Sequence, residues 1–124
     1  MKYSESVEMY LETILRIEEE KVEVHVVDIA KCLKISKPSV TRALGLMRGE
    51  KLILQEPYGS IYLTSKGRTA ANRVYDRHKR ITEFLMSSLG LDRGIAEVDA
   101  CKIEHIISEK TFSAIEQYAE RNFG

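Results

Sequence analysis

Only two of the 124 residues are cysteine, Cys32 and Cys101, too few for a disulfide framework and too far apart in sequence for a short metal knuckle. Both are expected to be reduced thiols. No apolar run approaches the roughly 20 residues that a membrane-spanning helix needs. The opening Met1-Lys2-Tyr3-Ser4-Glu5-Ser6 has no apolar stretch of the secretory kind, so the expectation is a cytoplasmic chain with no membrane association. Internal repeats and low-complexity segments are also missing. What remains is an ordinary globular composition, 44% hydrophobic and 31% charged. A chain of this length can bury one modest core, or a small domain plus a helical appendage whose apolar face needs a partner.

Net charge is absent too, but only in the sum. Residues 1–30 carry 3 bases and 8 acids, residues 31–80 carry 12 bases and 3 acids, and residues 81–124 carry 4 bases and 8 acids. A strongly basic middle between acidic ends is the electrostatic footprint of a phosphate-binding surface.

The periodicities fit that reading. Val7, Tyr10, Leu11, Ile14, Leu15 and Ile17 form a helical stripe, with Glu8, Glu12, Arg16 and Glu18-Glu19-Glu20 largely off it and Ser4 or Ser6 as cap. Val22 to Val26 alternate like a brief edge strand. Val27, Ile29, Ala30 and Leu33 mark a short second helix, in which Cys32 reads as a small buried hydrophobe. After the turn Lys34-Ile35-Ser36, a third helix runs to about Arg48, capped by Ser36 with Pro38 in its first turn. Its inward side is Val40, Ala43, Leu44 and Met47.

Two short helices joined by such a turn make a helix-turn-helix. Leu52–Gln55 and Ser60–Leu63, separated by Glu56-Pro57-Tyr58-Gly59, make a wing. Long helices follow at about 66–89, stopped by Gly90, then at 95–107 and 111–121. The expected fold is mainly α: a winged helix-turn-helix over residues 1–72 and an α-helical domain over 73–124. Candidate base contacts are Ser36, Pro38, Ser39 and above all Arg42, whose fork suits guanine. Lys37, Thr41, Lys51, Ser60, Lys66 and Arg68 are candidates for phosphate.

Cys101, Glu104 and His105, at i, i+3 and i+4 in a run that reads as helix, project a thiolate, a carboxylate and an imidazole from one face. Met9 and Glu12, at i and i+3, form a second half-site. Metal ligands on either side of a DNA-reading module point to metal-controlled repression. The apolar residues Phe84, Leu85, Leu89, Leu91, Ile103, Ile106, Ile107, Phe112, Ile115 and Tyr118 exceed what a small helical tail can hide, so a homodimer is expected.

The combination Glu8-Met9-Tyr10-Leu11-Glu12, Ser36-x-Pro38-Ser39-Val40, Leu63-Thr64-Ser65-Lys66-Gly67-Arg68, Arg77-His78 and Cys101-Lys102-Ile103-Glu104-His105 resembles the diphtheria toxin repressor and manganese transport regulator family along essentially the whole chain. The resemblance implies a winged helix-turn-helix, a helical dimerisation domain, and repression of metal-uptake genes when Fe(II) or Mn(II) binds. The sequence ends after the helical domain, without an SH3-like third domain, and in that respect is similar to the short manganese type.

Position by position, Met9, Cys101, Glu104 and His105 match the activating site of the iron-type proteins. Glu12 matches an acidic ligand of the manganese type, and His78 a ligand of both. Two positions of the iron-type ancillary site are Thr82 and Glu97 here, with Glu83 one place off register, so Glu97 alone is retained as a ligand candidate. Sulfur donors favour Fe(II) with Mn(II) second, while Ni(II), Co(II) and Zn(II) are expected to bind at least as well in vitro.

The implied mechanism is that an ion held by both half-sites orients two reading helices of a dimer to successive major grooves of operator DNA, about 34 Å apart. One rival keeps the winged helix and replaces the metal by an organic ligand or by thiol oxidation at Cys101. Another, a zinc hydrolase using Glu104 as base, lacks the HExxH motif and any glycine-rich substrate loop. No enzymatic activity is expected.

Overall fold

The computed structural model describes residues 3–57 and 59–122. Tyr58, expected in the wing turn, lies outside the described residues. The elements are α1 (Glu5–Glu20), α2 (Val26–Leu33), α3 (Lys37–Gly49), β1 (Ile53–Gln55), β2 (Ile61–Leu63), α4 (Ser65–Leu89), α5 (Arg93–Ile103) and α6 (Glu109–Asn122). They fall into two compact units, which meet in sequence between Arg73 and Val74. Among the described residues no helix is long and apolar enough to cross a membrane.

In the first unit, α1 begins where the Ser4 hydroxyl accepts from the Val7 amide at 3.2 Å, satisfying one of the helix's orphan donors. Its stripe is buried at Tyr10, Leu11, Ile14, Leu15 and Ile17. Leu11 and Ile14 lose all contact with water, each contributing about 1.5–3 kcal/mol. Glu8 and Glu12 are buried as well, although the apolar pattern puts them off the stripe: pattern reading assigns carboxylates to solvent by type, and here they go inward.

Asp28 accepts from the His25 amide at 2.9 Å and from Lys21 Nζ at 2.7 Å, which fixes the entry to α2. Lys34 takes the left-handed conformation that ends α2. Ser36 then caps α3, accepting from the Ser39 amide at 3.3 Å, with Pro38 in the first turn. Val40, Leu44 and Met47 face inward.

The hairpin is antiparallel, pairing Ile53 with Leu63, Leu54 with Tyr62 and Gln55 with Ile61. The edge strand expected at 22–26 shrinks to one bridge between Val24 and Ile61. Val22 is 97% exposed, and α2 already claims Val26. Cys32 is exposed rather than buried: the short α2 buries only Ile29 and Ala30.

The second unit packs the later turns of α4 against α5 and α6. Gly90, at φ +69°, ends α4 in a conformation that side chains resist. Asp92 caps α5 by accepting from the Ile95 amide at 2.9 Å, two residues ahead of the expected start. Ser108 accepts from the Thr111 amide at 3.0 Å and likewise starts α6 earlier. The core is Ile81, Leu85, Ala96 and Ala100, with Phe84, Met86, Leu91, Ile103, Ile107 and Phe112 packed around it. Leu85 is therefore an internal residue, not part of an uncovered face. The exposed apolar side chains of this unit are Leu89, Ile95, Val98, Ile106 and Tyr118.

Two expectations follow. A Cβ on Gly67, in the first turn of α4, would stand 1.9 Å from the Leu52 carbonyl oxygen. Gly67→Ala therefore lowers stability by at least about 1–3 kcal/mol, read as a lower midpoint in thermal or urea unfolding, and an unchanged midpoint would contradict the packing. The Asp28 carboxyl is held below the usual carboxylate range, chiefly by its hydrogen bond from Lys21 and against some burial. A depressed folded pKa stabilises above the unfolded value of about 3.9, and that contribution is lost as pH falls through the folded value. The melting-temperature gap between wild type and Asp28→Asn is thus full at pH 6 and closes on acidification below about pH 4.

Candidate metal centre

The site begins with two small residues. Ala96 and Ala100 are fully buried, which seats α5 close to its neighbours and carries its last turn inward. Regular helix ends at Ile103, earlier than the expected Ile107, but Glu104 keeps helical backbone angles as the C-cap (φ −58°, ψ −25°). The i, i+3, i+4 geometry survives through that cap. As a result Cys101, Glu104 and His105 each offer a ligand atom, all within 4.8 Å of one another. Cys101 is half-buried, His105 is buried, and Glu104 is 0% exposed.

The carboxylate of Glu104 is held from two sides. Its Oε2 lies 2.8 Å from Nδ1 of His78 on α4, and its Oε1 lies 3.2 Å from Nε2 of His105. The His78 ring stacks on Tyr75, with centroids 6.3 Å apart. Its backbone carbonyl accepts from the buried hydroxyl of Thr82 at 2.8 Å.

A thiol, a carboxylate and an imidazole converge in a largely dry setting, where isolated charge is costly, and a second imidazole, His78, is bonded to the carboxylate. This donor set fits a divalent transition ion. The sulfur and nitrogen donors suit Fe(II), Co(II), Ni(II) or Zn(II), and the carboxylate admits Mn(II).

Glu97 stands outside the cluster. It lies one helical turn before Cys101, and its carboxylate pairs with Arg93 at 3.8 Å. Met9 and Glu12 belong to the first unit, on α1. Met9 is half-buried, and Glu12 is 4% exposed with its carboxylate 3.3 Å from Arg16.

Spacing alone missed two residues near these positions. Arg77, given no role of its own by the sequence, is buried and donates to the Glu104 carbonyl at 3.1 Å. Glu8 is a buried carboxylate one turn before Glu12. The available signals were the adjacency of Arg77 to His78 and the i, i+4 placement of Glu8 relative to Glu12.

On the reading helix, Ser36, Lys37, Pro38, Ser39, Thr41 and Arg42 are all exposed. The Ser36 hydroxyl is occupied as cap and donates to that of Ser39 at 2.9 Å. Leu46, one turn beyond Arg42, is 70% exposed and was assigned no role by sequence. Lys51 and Lys66 are exposed, the latter donating to the Glu50 carbonyl at 3.2 Å. Two expected phosphate contacts change. Ser60, which closes the hairpin turn by accepting from the Glu56 amide, is 3% exposed, so its side chain does not present itself to a duplex. Arg68 makes a two-pronged bond to Glu18, at 2.9 and 3.2 Å, so a carboxylate already fills its fork.

Comparison with known proteins places both units. Residues 2–61 match the iron dependent repressor N-terminal DNA binding domain, and residues 64–122 match the iron dependent repressor metal binding and dimerisation domain. The chain is 36% identical over 119 residues to an uncharacterized HTH-type transcriptional regulator of Methanocaldococcus jannaschii, covering 95% of each. It is 33% identical over 106 residues to the diphtheria toxin repressor of Corynebacterium diphtheriae, covering 86% of this chain and 47% of that one, about half its length. It is 31% identical to the transcriptional regulator MntR of Escherichia coli over 95% of this chain and 76% of that one. Among solved structures, the manganese regulator SloR superposes with a TM-score of 0.79 at 25% identity, over 97% of this chain and 55% of that one. The T. acidophilum IdeR gives 0.77 at 27% identity, over 92% and 52%. With both of its halves matched, the chain belongs to the iron-dependent repressor family of metal-dependent transcriptional regulators.

Proposed function

We propose that this chain represses transcription of metal-uptake genes by binding double-stranded operator DNA as a cytoplasmic homodimer, and that Fe(II), or failing it Mn(II), is the activating ion. The observation that carries this reading is the buried cluster of Cys101, Glu104 and His105 with His78 bonded to it. It stands in a chain that also presents an exposed, N-capped basic helix. Relatives are named for iron and for manganese, and the sulfur of Cys101 tips the choice toward iron.

In this reading residues 73–124 serve as the metal-binding and dimerisation domain and residues 1–72 as the DNA-reading domain. His78, Cys101, Glu104 and His105 hold the ion, and Met9 and Glu12 of α1 are the further ligand candidates. The bound ion supplies positive charge among these donors. Arg42, Ser39 and Pro38 face base edges, while Lys37, Thr41, Lys51 and Lys66 meet phosphate. Ser36 contributes by capping α3 and so fixing where those side chains start. Arg68 reaches phosphate only by leaving Glu18. To turn a mostly inactive population into a mostly active one, the competent arrangement must be favoured by about 5 kcal/mol. Ligands gathered from separate stretches of chain make that possible. The exposed Leu89, Ile95, Val98, Ile106 and Tyr118 supply apolar surface for pairing.

The test is a fluorescence anisotropy titration on a duplex selected from a random-sequence pool. Fe(II) or Mn(II) tightens DNA binding by roughly 5- to 150-fold, a chelator reverses it, and Cys101→Ala and Met9→Ala each blunt the response. The metal midpoint moves to higher concentration as pH falls, since thiol and imidazole coordinate only when deprotonated. Binding indifferent to metal and chelator sinks the reading, and full response in both variants sinks the ligand set. Sedimentation provides a separate check: the chain runs as a dimer, and a monomer both with and without metal contradicts the pairing surface.

A further inference from the structure

Arg77 is a buried cation with three attachments, all within the second unit. One guanidinium nitrogen donates to the Glu104 backbone carbonyl at 3.1 Å. Another bonds the carboxylate of Glu109 in the first turn of α6. The guanidinium carbon lies 5.0 Å from the centre of the Phe112 ring, a cation–π contact that offsets part of the desolvation cost.

Glu104 is the C-cap of α5, so its carbonyl is among those left without an intrahelical partner. A neutral donor would satisfy it at less cost than a buried charge. The planar fork of arginine does more, because it reaches a second partner at a fixed angle. The neighbouring residue on α4, His78, holds the side chain of the same Glu104. Consecutive α4 residues therefore grip one ligand twice, by its backbone and by its carboxylate, and the Arg77 grip continues to Glu109.

We infer that Arg77 is a positioning residue for the metal centre, setting the Cys101–Glu104–His105 cluster through the Glu104 backbone and tying it to α6 through Glu109. This rests on the metal-binding reading above. A ligand constellation tolerates displacements of only about 0.5 Å, so loosening the turn that carries two of its members weakens binding without removing a ligand. Glu109, whose side chain is 73% exposed, is tied to the cluster through Arg77.

The experiment adds Co(II) to the metal-free full chain and follows the thiolate-to-cobalt absorption band, the Co(II) dissociation constant by chelator competition, and the metal-free melting temperature. Arg77→Met weakens Co(II) binding about tenfold or more and lowers the band intensity per bound ion, and Arg77→Lys restores part of both. Glu109→Gln, which keeps an acceptor for Arg77 and is the milder change, weakens binding by about threefold. That variant decides the matter if Arg77→Met does not fold. Melting temperatures that fall while cobalt affinity and band intensity hold, or Glu109→Gln binding like wild type, overturn the assignment and leave Arg77 as a structural staple. A wild-type chain that shows no thiolate band removes the metal-centre reading itself, and this inference with it.

Discussion

A carboxylate with no exposure to water, wedged between two imidazoles, is the constraint on which the second unit depends. Glu104 meets His78 at 2.8 Å and His105 at 3.2 Å. Burying such a group is expensive unless it is paired on every side, and the surrounding sequence reads as provision for that cost. Ala96 and Ala100 remove bulk so that α5 can pack close. Arg77 takes the carbonyl that the end of α5 exposes, Thr82 bonds the backbone of His78, and Tyr75 stacks on its ring. For hydrophobic packing alone, another apolar residue at position 104 would serve better. A polar cluster kept at this depth makes sense as a binding site.

The first unit is organised around presentation. Its apolar residues, from Leu11 and Ile14 to Val40, Leu44 and Met47, are spent on holding α3. The outward face of that helix is left polar and basic. Three local devices set its start: the left-handed Lys34, the Ser36 cap and Pro38 in the first turn. Each restricts the backbone rather than contacting a partner, and together they determine which side chains a duplex would meet. The hairpin is joined to the start of α4 at the absent Cβ of Gly67, so close that one methyl group would collide with the Leu52 carbonyl. Charge serves the same division, with cations gathered in the middle of the chain and acids at its ends.

Most of the architecture was legible before any coordinates, because its punctuation is chemical. Serine caps, a first-turn proline, a stop glycine and alternating apolar runs act through nearest neighbours, and they located α1 to α4 and both strands to within a few residues. The boundaries that moved, at α5 and α6, depended on the caps Asp92 and Ser108, which an apolar period does not register. The errors in burial share another cause. Cys32, Ser60, Glu8 and Glu12 were assigned to surface or core by residue type, yet each position is decided by what the neighbouring element covers. Side-chain pairing is likewise silent in a periodicity: Glu97 meets Arg93, and Arg68 meets Glu18 fifty residues away.

From composition and spacing alone came the helical class, the helix-turn-helix with its wing, and the i, i+3, i+4 donor triplet at Cys101, Glu104 and His105. All of these rest on interactions within one or two turns of chain, where order in sequence is order in space. Tertiary packing alone decided that His78 on α4 meets Glu104 at the end of α5, that Arg77 leaves its basic run to be buried behind them, and that Ser60 withdraws from the surface. Those facts join residues more than two dozen positions apart or depend on what a neighbouring element covers, and no periodicity encodes them, because they exist only once the helices have packed.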